Sequence, residues 1–197
     1  MSLRLARLTG AAILPHLDAL ADLRIRVFHD YPYLYEGSHD YERRYLQTYA
    51  GAADSVVVGA FDGARLVGAA TALPLRHEPA ELTQPFRDRG LNVSWIFYFG
   101  ESVLLPEYRG QGIGVRFFAE REAHACAVGG HDHAAFCAVI RPDDHPRRPA
   151  GYVALDRFWQ RRGFARVPDL VCSLSWRDRG EAQETSKPMA VWMKSLA

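Results

Sequence analysis

The feature that most constrains the fold of this chain is an apolar run that stops at a proline and is followed by closely spaced glycines. Residues 95–105 are rich in aromatic and β-branched side chains and end at Pro106, which predicts a buried strand. Gly110, Gly112 and Gly114 then open an amphipathic segment that predicts a helix. Glycine lets the backbone turn sharply and lets a ligand approach the main chain without a Cβ in the way. The sequence therefore predicts a strand, a tight loop and a helix in direct succession.

The start of the predicted helix is suited to bind phosphate. The first N–H groups of a helix have no partner within the helix, and the macrodipole makes that end positive. Arg109 adds a permanent cation beside it. A strand–loop–helix junction of this kind predicts a ligand that carries phosphate groups.

Two common phosphate-binding loops do not fit the spacing. A dinucleotide fingerprint needs a further glycine or alanine where this chain has Val115, and an acidic residue after the next strand, where it has Arg141. A P-loop needs Gly-Lys followed by Ser or Thr, and the chain contains no such sequence. What remains is an Arg-x-x-Gly-x-Gly pattern, formed by Arg109, Gly112 and Gly114 and preceded by Pro-Glu-Tyr.

This pattern resembles motif A of the GNAT superfamily of N-acetyltransferases, whose loop wraps the pyrophosphate of acetyl-coenzyme A (acetyl-CoA). A second match is Phe-Trp-Gln-Arg-Arg-Gly-Phe at residues 158–164, which looks like the family's aromatic and Gly-Phe signature. The resemblance covers nearly the whole chain. It implies an α/β (α+β) GNAT acyl-CoA N-acyltransferase fold, with a mixed central sheet of about seven strands, flanking helices and a splay at the acetyl-CoA site. Residues 1–197 are expected to form a single GNAT domain.

Hydrophobic periodicity predicts the individual elements. The predicted strands are residues 3–8, 55–61, 64–72, 95–105, 134–140, 170–176 and 189–196. The predicted helices are residues 14–28 and 40–49, the helix that ends at Gly129-Gly130, and a short helix that ends at Gly163, whereas residues 77–91 are expected to be irregular or a short helix. The helix after the glycine loop is expected to bury one face, formed by Val115, Phe118, Ala119, Ala123, Cys126 and Ala127.

Composition excludes several classes of protein. Lys and Arg number 24 against 23 Asp and Glu, so no global basic field would recruit nucleic acid or an anionic membrane. No apolar stretch of about 18 residues occurs, and the first residues lack the layout of a signal peptide. Cys126, Cys137 and Cys172 are expected to be reduced core thiols of a cytoplasmic protein.

The resemblance implies where the acyl donor binds. In the family, the strand before the loop and the following strand splay apart, and the freed backbone groups pair with the pantetheine arm. By position this role belongs to the backbones of Val103, Leu104 and Leu105, whose N–H groups would also stabilise an oxyanion. The loop would hold the pyrophosphate through Arg109, Gly110, Gln111, Gly112, Ile113 and Gly114.

Acid–base residues are harder to assign. Glu101 lies in an otherwise apolar strand just before the splay and is a candidate for the general base, with an ion pair inside the fold as the structural alternative. Counting by alternation, Tyr98 instead falls where some relatives keep a catalytic glutamate, and a bulge in the strand would exchange the two faces. Many GNAT enzymes also place a tyrosine four residues before the Gly-Phe, where this chain has Trp159. Tyr152 is therefore the candidate for the general acid.

Two segments are candidates for the acceptor site. A proline-rich loop carries Asp143, Asp144 and His145, which are expected to hold a cationic substrate. Tyr31 and Tyr33 lie in the region that caps the acceptor site in the family, and they suggest an aromatic wall. The expected partner is a small-molecule or peptide amine, with neither nucleic acid nor a membrane involved, and the resemblance also allows a homodimer.

Two functions fit these observations. The first is an acetyl-CoA-dependent N-acetyltransferase in which a primary amine attacks the thioester directly in a ternary complex. The second is a non-catalytic module that binds acetyl-CoA, which the missing tyrosine at Trp159 favours. No metal is expected in either case, because His131-Asp132-His133 lies in a turn without a third ligand at a recognised spacing.

Overall fold

A mixed sheet of seven strands forms the centre of the protein. The computed structural model describes residues 3–196. The strands are β1 (Leu3–Leu8), β2 (Val56–Asp62), β3 (Arg65–Pro74), β4 (Ile96–Leu104), β5 (His133–Val139), β6 (Ala165–Trp176) and β7 (Thr185–Ser195). They lie in the order β1-β2-β3-β4-β5-β7-β6, and β4 and β5 are parallel whereas the other neighbouring pairs are antiparallel. The predicted fold class and the predicted mixed sheet are confirmed.

Within residues 3–196, five α-helices flank the sheet. They are α1 (Leu17–Phe28), α2 (His39–Gly51), α3 (Ala80–Asp88), α4 (Ile113–Val128) and α5 (Asp156–Gln160). Ser38 caps α2, because its hydroxyl oxygen accepts a hydrogen bond from the Tyr41 N–H at 3.3 Å. The segment expected to be irregular or a short helix contains α3. Within residues 3–196, no helix is both long and apolar enough to cross a membrane.

The buried face of α4 differs from the predicted one. The residues that it buries are Ile113, Phe117, Phe118, Arg121 and Ala125. Of the residues expected on the buried face, Phe118 is buried, but Val115, Ala119, Ala123, Cys126 and Ala127 are exposed. The prediction failed because the buried row contains a charged residue, which an apolar pattern cannot reveal.

Arg121 is accommodated in the core by aromatic rings and carbonyl groups. Its guanidinium lies 4.4 Å from the ring centroid of Phe99 and 4.8 Å from that of Phe118. Its Nη1 donates hydrogen bonds to the carbonyl oxygens of Thr71 and Glu101 at 3.3 and 3.2 Å. The guanidinium of Arg121 therefore connects α4 to Thr71 of β3 and to Glu101 of β4.

The burial of the three cysteines also differs in part from the prediction. All three are free thiols. Cys137 and Cys172 are buried on the sheet, as expected, but Cys126 is exposed on the outer face of α4. The expectation of a core thiol was wrong for Cys126, for the same reason that the predicted face of α4 was wrong.

Strand β4 departs from regular pairing on both of its sides. Towards β3, Ser102 pairs with Ala70 and Phe99 pairs with Ala72, so Gly100 and Glu101 together lie opposite one residue of β3. This is a β-bulge in β4. Towards β5, the pairing stops after Tyr98, although both strands continue. The sheet therefore splays between β4 and β5, as the resemblance implied.

Candidate active site

The glycine loop leads directly from β4 into α4. A short 3-10 turn at Pro106–Tyr108 ends the strand, and Gly112 precedes the first turn of α4. Gly110 and Gly112 have φ values of 77° and 78°, in the left-handed region that favours glycine. A Cβ at either position would meet nothing within 4 Å, so these glycines are required for conformation and leave open space above the helix end. At Gly114 a Cβ would lie 3.3 Å from Phe158 Cζ, so this glycine is required for close packing.

Hydrogen bonds from side chains of this loop stabilise its conformation. The Tyr108 hydroxyl donates to Asp62 Oδ2 on β2 at 2.9 Å. Arg109 Nε donates to the Leu104 carbonyl at 3.2 Å, and Gln111 Nε2 donates to the Glu107 carbonyl at 3.3 Å. Arg109 remains exposed. The positive end of α4 and an exposed guanidinium thus lie within the same short loop, and both features are suited to a phosphate anion.

Only part of the β4 backbone that was predicted to bind the pantetheine arm is directed towards the gap between β4 and β5. The Leu105 N–H donates to the Val67 carbonyl on β3 at 3.0 Å, so it is not free to bind a ligand. Hydrogen-bonding direction alternates along a strand, and Val103, which pairs with Ala69, therefore also faces β3. Of the three predicted backbones, that of Leu104 is the one directed towards the gap.

The bulge places Glu101 beside the gap on the same side as Tyr98. The Glu101 N–H donates to Thr71 Oγ1 at 3.2 Å, which fixes the extra residue. A Cβ on Gly100 would collide with the hydroxyl oxygens of Tyr49 and Thr71, so a side chain there is excluded. In a regular strand, residues three apart point to opposite faces. Because of the bulge, Tyr98 and Glu101 line one cavity.

This cavity has a volume of about 920 Å³ and begins at the gap between β4 and β5. Residues of α1, α2, the segment before α3, and strands β4 to β7 form its walls. Cys137 of β5 also lines the cavity, two residues beyond Ala135, which pairs with Tyr98. Tyrosine is a frequent residue in the lining, which includes Tyr33, Tyr35, Tyr41, Tyr45, Tyr49 and Tyr98.

A buried guanidinium sits between two carboxylates in the cavity wall. Arg24 of α1 forms ion pairs with Glu42 of α2 and with Glu101, and the three side chains are 10%, 0% and 8% exposed. Its guanidinium also lies 4.5 Å from the ring centroid of Tyr45. Burial by itself lowers the pKa of Arg24, but Glu101, Tyr45 and Glu42 hold it well above its ordinary value. Glu101 is therefore both an ion-pair partner and a group that faces the cavity.

Comparison with known proteins identifies the fold. No protein-family model and no curated protein matches the chain. An N-acetyltransferase from Staphylococcus aureus Mu50 superposes with a TM-score of 0.63 at 13% identity, over 100% of each chain. An acetyltransferase of the GNAT family from Streptococcus pneumoniae gives a TM-score of 0.60 at 14% identity, also over 100% of each chain. Arabidopsis thaliana NAA60, in complex with acetyl-CoA, gives 0.61 at 13% identity over 98% of each chain.

The chain has the GNAT fold. Sequence identities of 13–14% carry the fold and nothing finer.

Within the GNAT fold, Glu78 is a site residue that sequence reasoning missed. It lies on the connection after β3, is 9% exposed, and accepts a hydrogen bond from the Tyr49 hydroxyl at 3.4 Å. Burial, followed by the charge of Glu101, raises the pKa of its carboxyl to about 7. No motif or periodicity marks this position. The polar residues of α2 were easier to recognise, because Glu42, Tyr45 and Tyr49 lie on one face at helical spacing.

Tyr31 and Tyr33, the two tyrosines predicted to form an aromatic wall, lie in different surroundings. Tyr33 lines the cavity, with its ring centroid 4.6 Å from that of Phe28 and 6.0 Å from that of Trp176. Burial raises the pKa of the Tyr33 hydroxyl, so it stays protonated. Tyr31 is not part of the lining.

Tyr31 belongs instead to an aromatic cluster outside the cavity. Its ring centroid is 4.7 Å from that of Tyr152 and 5.7 Å from that of His145. Tyr152, the candidate for the general acid, precedes α5. Trp159 of α5 packs against Phe136 and Trp192, with both ring centroids at 5.1 Å. The structure does not bring Tyr152 to the cavity that contains Glu101.

The proline-rich loop also turns away from the cavity. The Asp143 side chain is fully exposed and pairs with Arg148 at 2.5 Å, and Asp144 is exposed. At the base of the loop, Arg141 is held by Asp178 through two hydrogen bonds of 2.7 and 2.9 Å. Asp143, Asp144 and His145, which were expected to hold a cationic substrate, therefore do not line the cavity that contains Glu101. In the part of the chain described, no cluster of three or more His, Cys, Asp or Glu residues is placed to hold a metal.

Proposed function

We propose that the protein is an N-acetyltransferase that transfers the acetyl group of acetyl-CoA to a primary amine of a small molecule or peptide. The observation that supports this most strongly is the cavity that begins at the gap between β4 and β5, with Glu101 in its wall. The glycine loop follows Leu104, the last residue of β4, so it lies at the far end of the part of β4 that is not paired with β5. A donor bound along the loop and an acceptor bound in the cavity would meet at the gap, which fits direct attack in a ternary complex.

Acetyl-CoA is the proposed co-substrate. The N–H groups at the start of α4 and the guanidinium of Arg109 would bind its pyrophosphate. The Leu104 N–H would donate to its pantetheine arm, because the Leu104 carbonyl already accepts from Arg109. NAA60, which has the same fold, is in complex with acetyl-CoA. The acetyl carbonyl would then lie at the splay, where no strand occupies the edge of β4.

The reaction requires one proton to leave the amine and one to reach the thiolate. Glu101 is the proposed acceptor of the first proton, directly or through a water molecule, because it faces the cavity beside the gap. Burial, with Cys137 nearby, raises the pKa of the Tyr98 hydroxyl well above its ordinary value. Tyr98 therefore keeps its proton at neutral pH, which suits a hydrogen-bond donor near the sulfur and not a base.

The lining of the cavity favours a cationic acceptor with a flat or apolar body. Aromatic faces attract ammonium groups, and several tyrosines form the walls. The same lining contains the carboxylates of Glu36, Glu78, Glu101 and Glu184 and the guanidinium groups of Arg24, Arg44 and Arg177, of which Arg24 is already paired with Glu42 and Glu101. A primary amine would enter as an ammonium ion and lose its proton at Glu101.

Free-thiol release from acetyl-CoA in the presence of a library of primary amines tests this proposal. Amine-dependent release of CoA is expected. The second candidate, a non-catalytic acetyl-CoA-binding module, is supported by Trp159, which has no hydroxyl at the position where many GNAT enzymes have a tyrosine. Thermal stabilisation by acetyl-CoA without thiol release from any amine would favour that module and reject the enzyme.

A further inference from the structure

Four oxygen-bearing side chains form a continuous row along one wall of the cavity. The Tyr45 hydroxyl donates to Glu101 Oε2 at 3.3 Å. The hydroxyl oxygens of Tyr45 and Tyr49 are 3.0 Å apart. The Tyr49 hydroxyl in turn donates to Glu78 Oε1 at 3.4 Å. The row therefore joins Glu101, beside the gap, to Glu78 on the connection after β3.

Proton counting shows that this row is one proton short when both carboxyls are ionised. Three oxygen–oxygen contacts need three protons, but the two tyrosines supply one each. With Tyr45 donating to Glu101 and Tyr49 donating to Glu78, neither hydroxyl has a proton left for the contact between them. A single added proton on Glu78 allows each group to donate to the next, towards Glu101, and satisfies all three contacts.

The two carboxyls differ in their surroundings, and the difference places the added proton at Glu78. Glu101 is paired with Arg24. Within residues 3–196, no side-chain cation forms a salt bridge with Glu78. The charged and titratable groups that act on Glu78 come from α1, α2, β4 and β5 and are Arg24, Tyr41, Tyr45, Tyr49, Tyr98, Glu101 and Cys137.

We propose that Glu78 is the terminal proton acceptor of the site, and that the proton which the amine gives to Glu101 reaches it through the hydroxyls of Tyr45 and Tyr49. This rests on the proposed N-acetyltransferase function. As Glu101 passes its proton to Tyr45, Tyr45 passes its own to Tyr49, and Tyr49 passes its own to Glu78. Glu101 and both tyrosines end unchanged, and Glu78 becomes neutral.

The reaction balances with this transfer included. The amine nitrogen bonds to the thioester carbonyl carbon, and the carbon–sulfur bond breaks. One proton of the ammonium ion ends on Glu78, and a second passes from the nitrogen to the CoA sulfur, so the products are the amide, CoA thiol and protonated Glu78. Glu78 keeps 9% exposure and returns its proton to water before the next turnover.

The pH dependence of turnover separates this relay from a structural role. In the wild type, kcat/KM should rise through pH 7, because Glu78 accepts a proton only when ionised. Glu78→Gln can donate to Tyr49 but cannot take up a proton, so it should lower kcat roughly 10- to 100-fold and remove this rise. Tyr49→Phe should also remove the rise, although Glu78 is still present. Glu120→Gln is the matched control, because Glu120 is ion-paired with Arg7 far from the cavity.

A readout that is independent of activity keeps this proposal separate from the proposed function. The infrared band of a protonated carboxyl should disappear between pH 6 and 8 in the wild type and in Glu120→Gln, and should be missing at pH 6 in Glu78→Gln. An active wild-type enzyme whose Glu78→Gln and Tyr49→Phe variants keep its pH profile would overturn the relay. A wild type that shows the band but no thiol release with any amine would overturn the enzyme while leaving Glu78 as the protonated carboxyl. Absence of the band would overturn the assignment of the proton to Glu78.

Discussion

The raised pKa of Glu78 makes a quantitative prediction about stability. The pKa of this carboxyl is about 7 in the folded protein, against an ordinary value of 4.5. The folded state therefore holds a proton that the unfolded state has lost between these two pH values. Where the native state binds more protons, the free energy of unfolding falls as pH rises. The ionised carboxyl thus destabilises the fold, and this effect is complete above pH 7.

The size of the effect follows from the difference in pKa. Each pKa unit corresponds to about 1.4 kcal/mol, so ionised Glu78 costs the fold about 3 kcal/mol in total. Part of that loss has already occurred at pH 5, which leaves about 2–3 kcal/mol between pH 5 and pH 8. Glu78→Gln cannot ionise and removes this contribution. The variant should gain about 2–3 kcal/mol relative to the wild type over that interval.

Urea unfolding of the wild type, Glu78→Gln and the control Glu120→Gln at pH 5 and pH 8 measures this difference. The other ionisable groups are the same in the wild type and the variant, so their contributions cancel in the comparison between the two. The expected result is a stability gap that widens with pH for Glu78→Gln and stays constant for Glu120→Gln. If the gap for Glu78→Gln is the same at both pH values, the carboxyl titrates normally and the reasoning about its burial is wrong.

Three further predictions address the donor site, the base and the acceptor site. Saturating acetyl-CoA should raise the melting temperature of the wild type, with about 2.7 kcal/mol of stabilisation at a hundredfold excess over Kd, and Gly112→Asp should abolish the shift by placing a carboxylate in the anion site. Glu101→Gln should lower turnover roughly 10²-fold or more while leaving that shift intact, and unchanged turnover at every pH would return Glu101 to a structural role. Replacing Asp143 and Asp144 together by Asn should leave the acceptor KM unchanged, because both side chains are exposed away from the cavity; a raised KM would place the loop at the acceptor.

Much of the fold could be predicted because local patterns determine it. The alternation of residues 3–8, the Asp62-Gly63 turn and the apolar run before Pro106 each specify an element without reference to distant residues. The glycine loop was predictable for the same reason, since Gly110 and Gly112 adopt left-handed conformations that few other residues tolerate. The glycines that this backbone conformation requires are also the glycines of the predicted phosphate-binding pattern. The pattern was therefore sufficient to predict the loop.

The acceptor side was less predictable because its residues converge from distant parts of the chain. Arg24, Glu42, Glu78 and Glu101 lie on four different elements or connections, and no spacing along the sequence relates them. The charged residues that the sequence did single out, in the proline-rich loop, follow β5 but do not line the cavity, and Arg141 at the base of the loop is bonded to Asp178. Proximity to a strand end in sequence did not give proximity to the site.

The bulge in β4 explains why the choice between Tyr98 and Glu101 could not be made from alternation. One extra residue reverses the direction of every later side chain, and here it brings Glu101 onto the side of the strand that Tyr98 already occupies. The same bulge requires a residue without a side chain at Gly100, because the Tyr49 hydroxyl lies where a Cβ would be. Gly100 thereby lets the row of hydroxyls reach Glu101. One irregularity in one strand thus sets which carboxylate faces the gap and what that carboxylate is connected to, and neither consequence is visible in a pattern of apolar and polar residues.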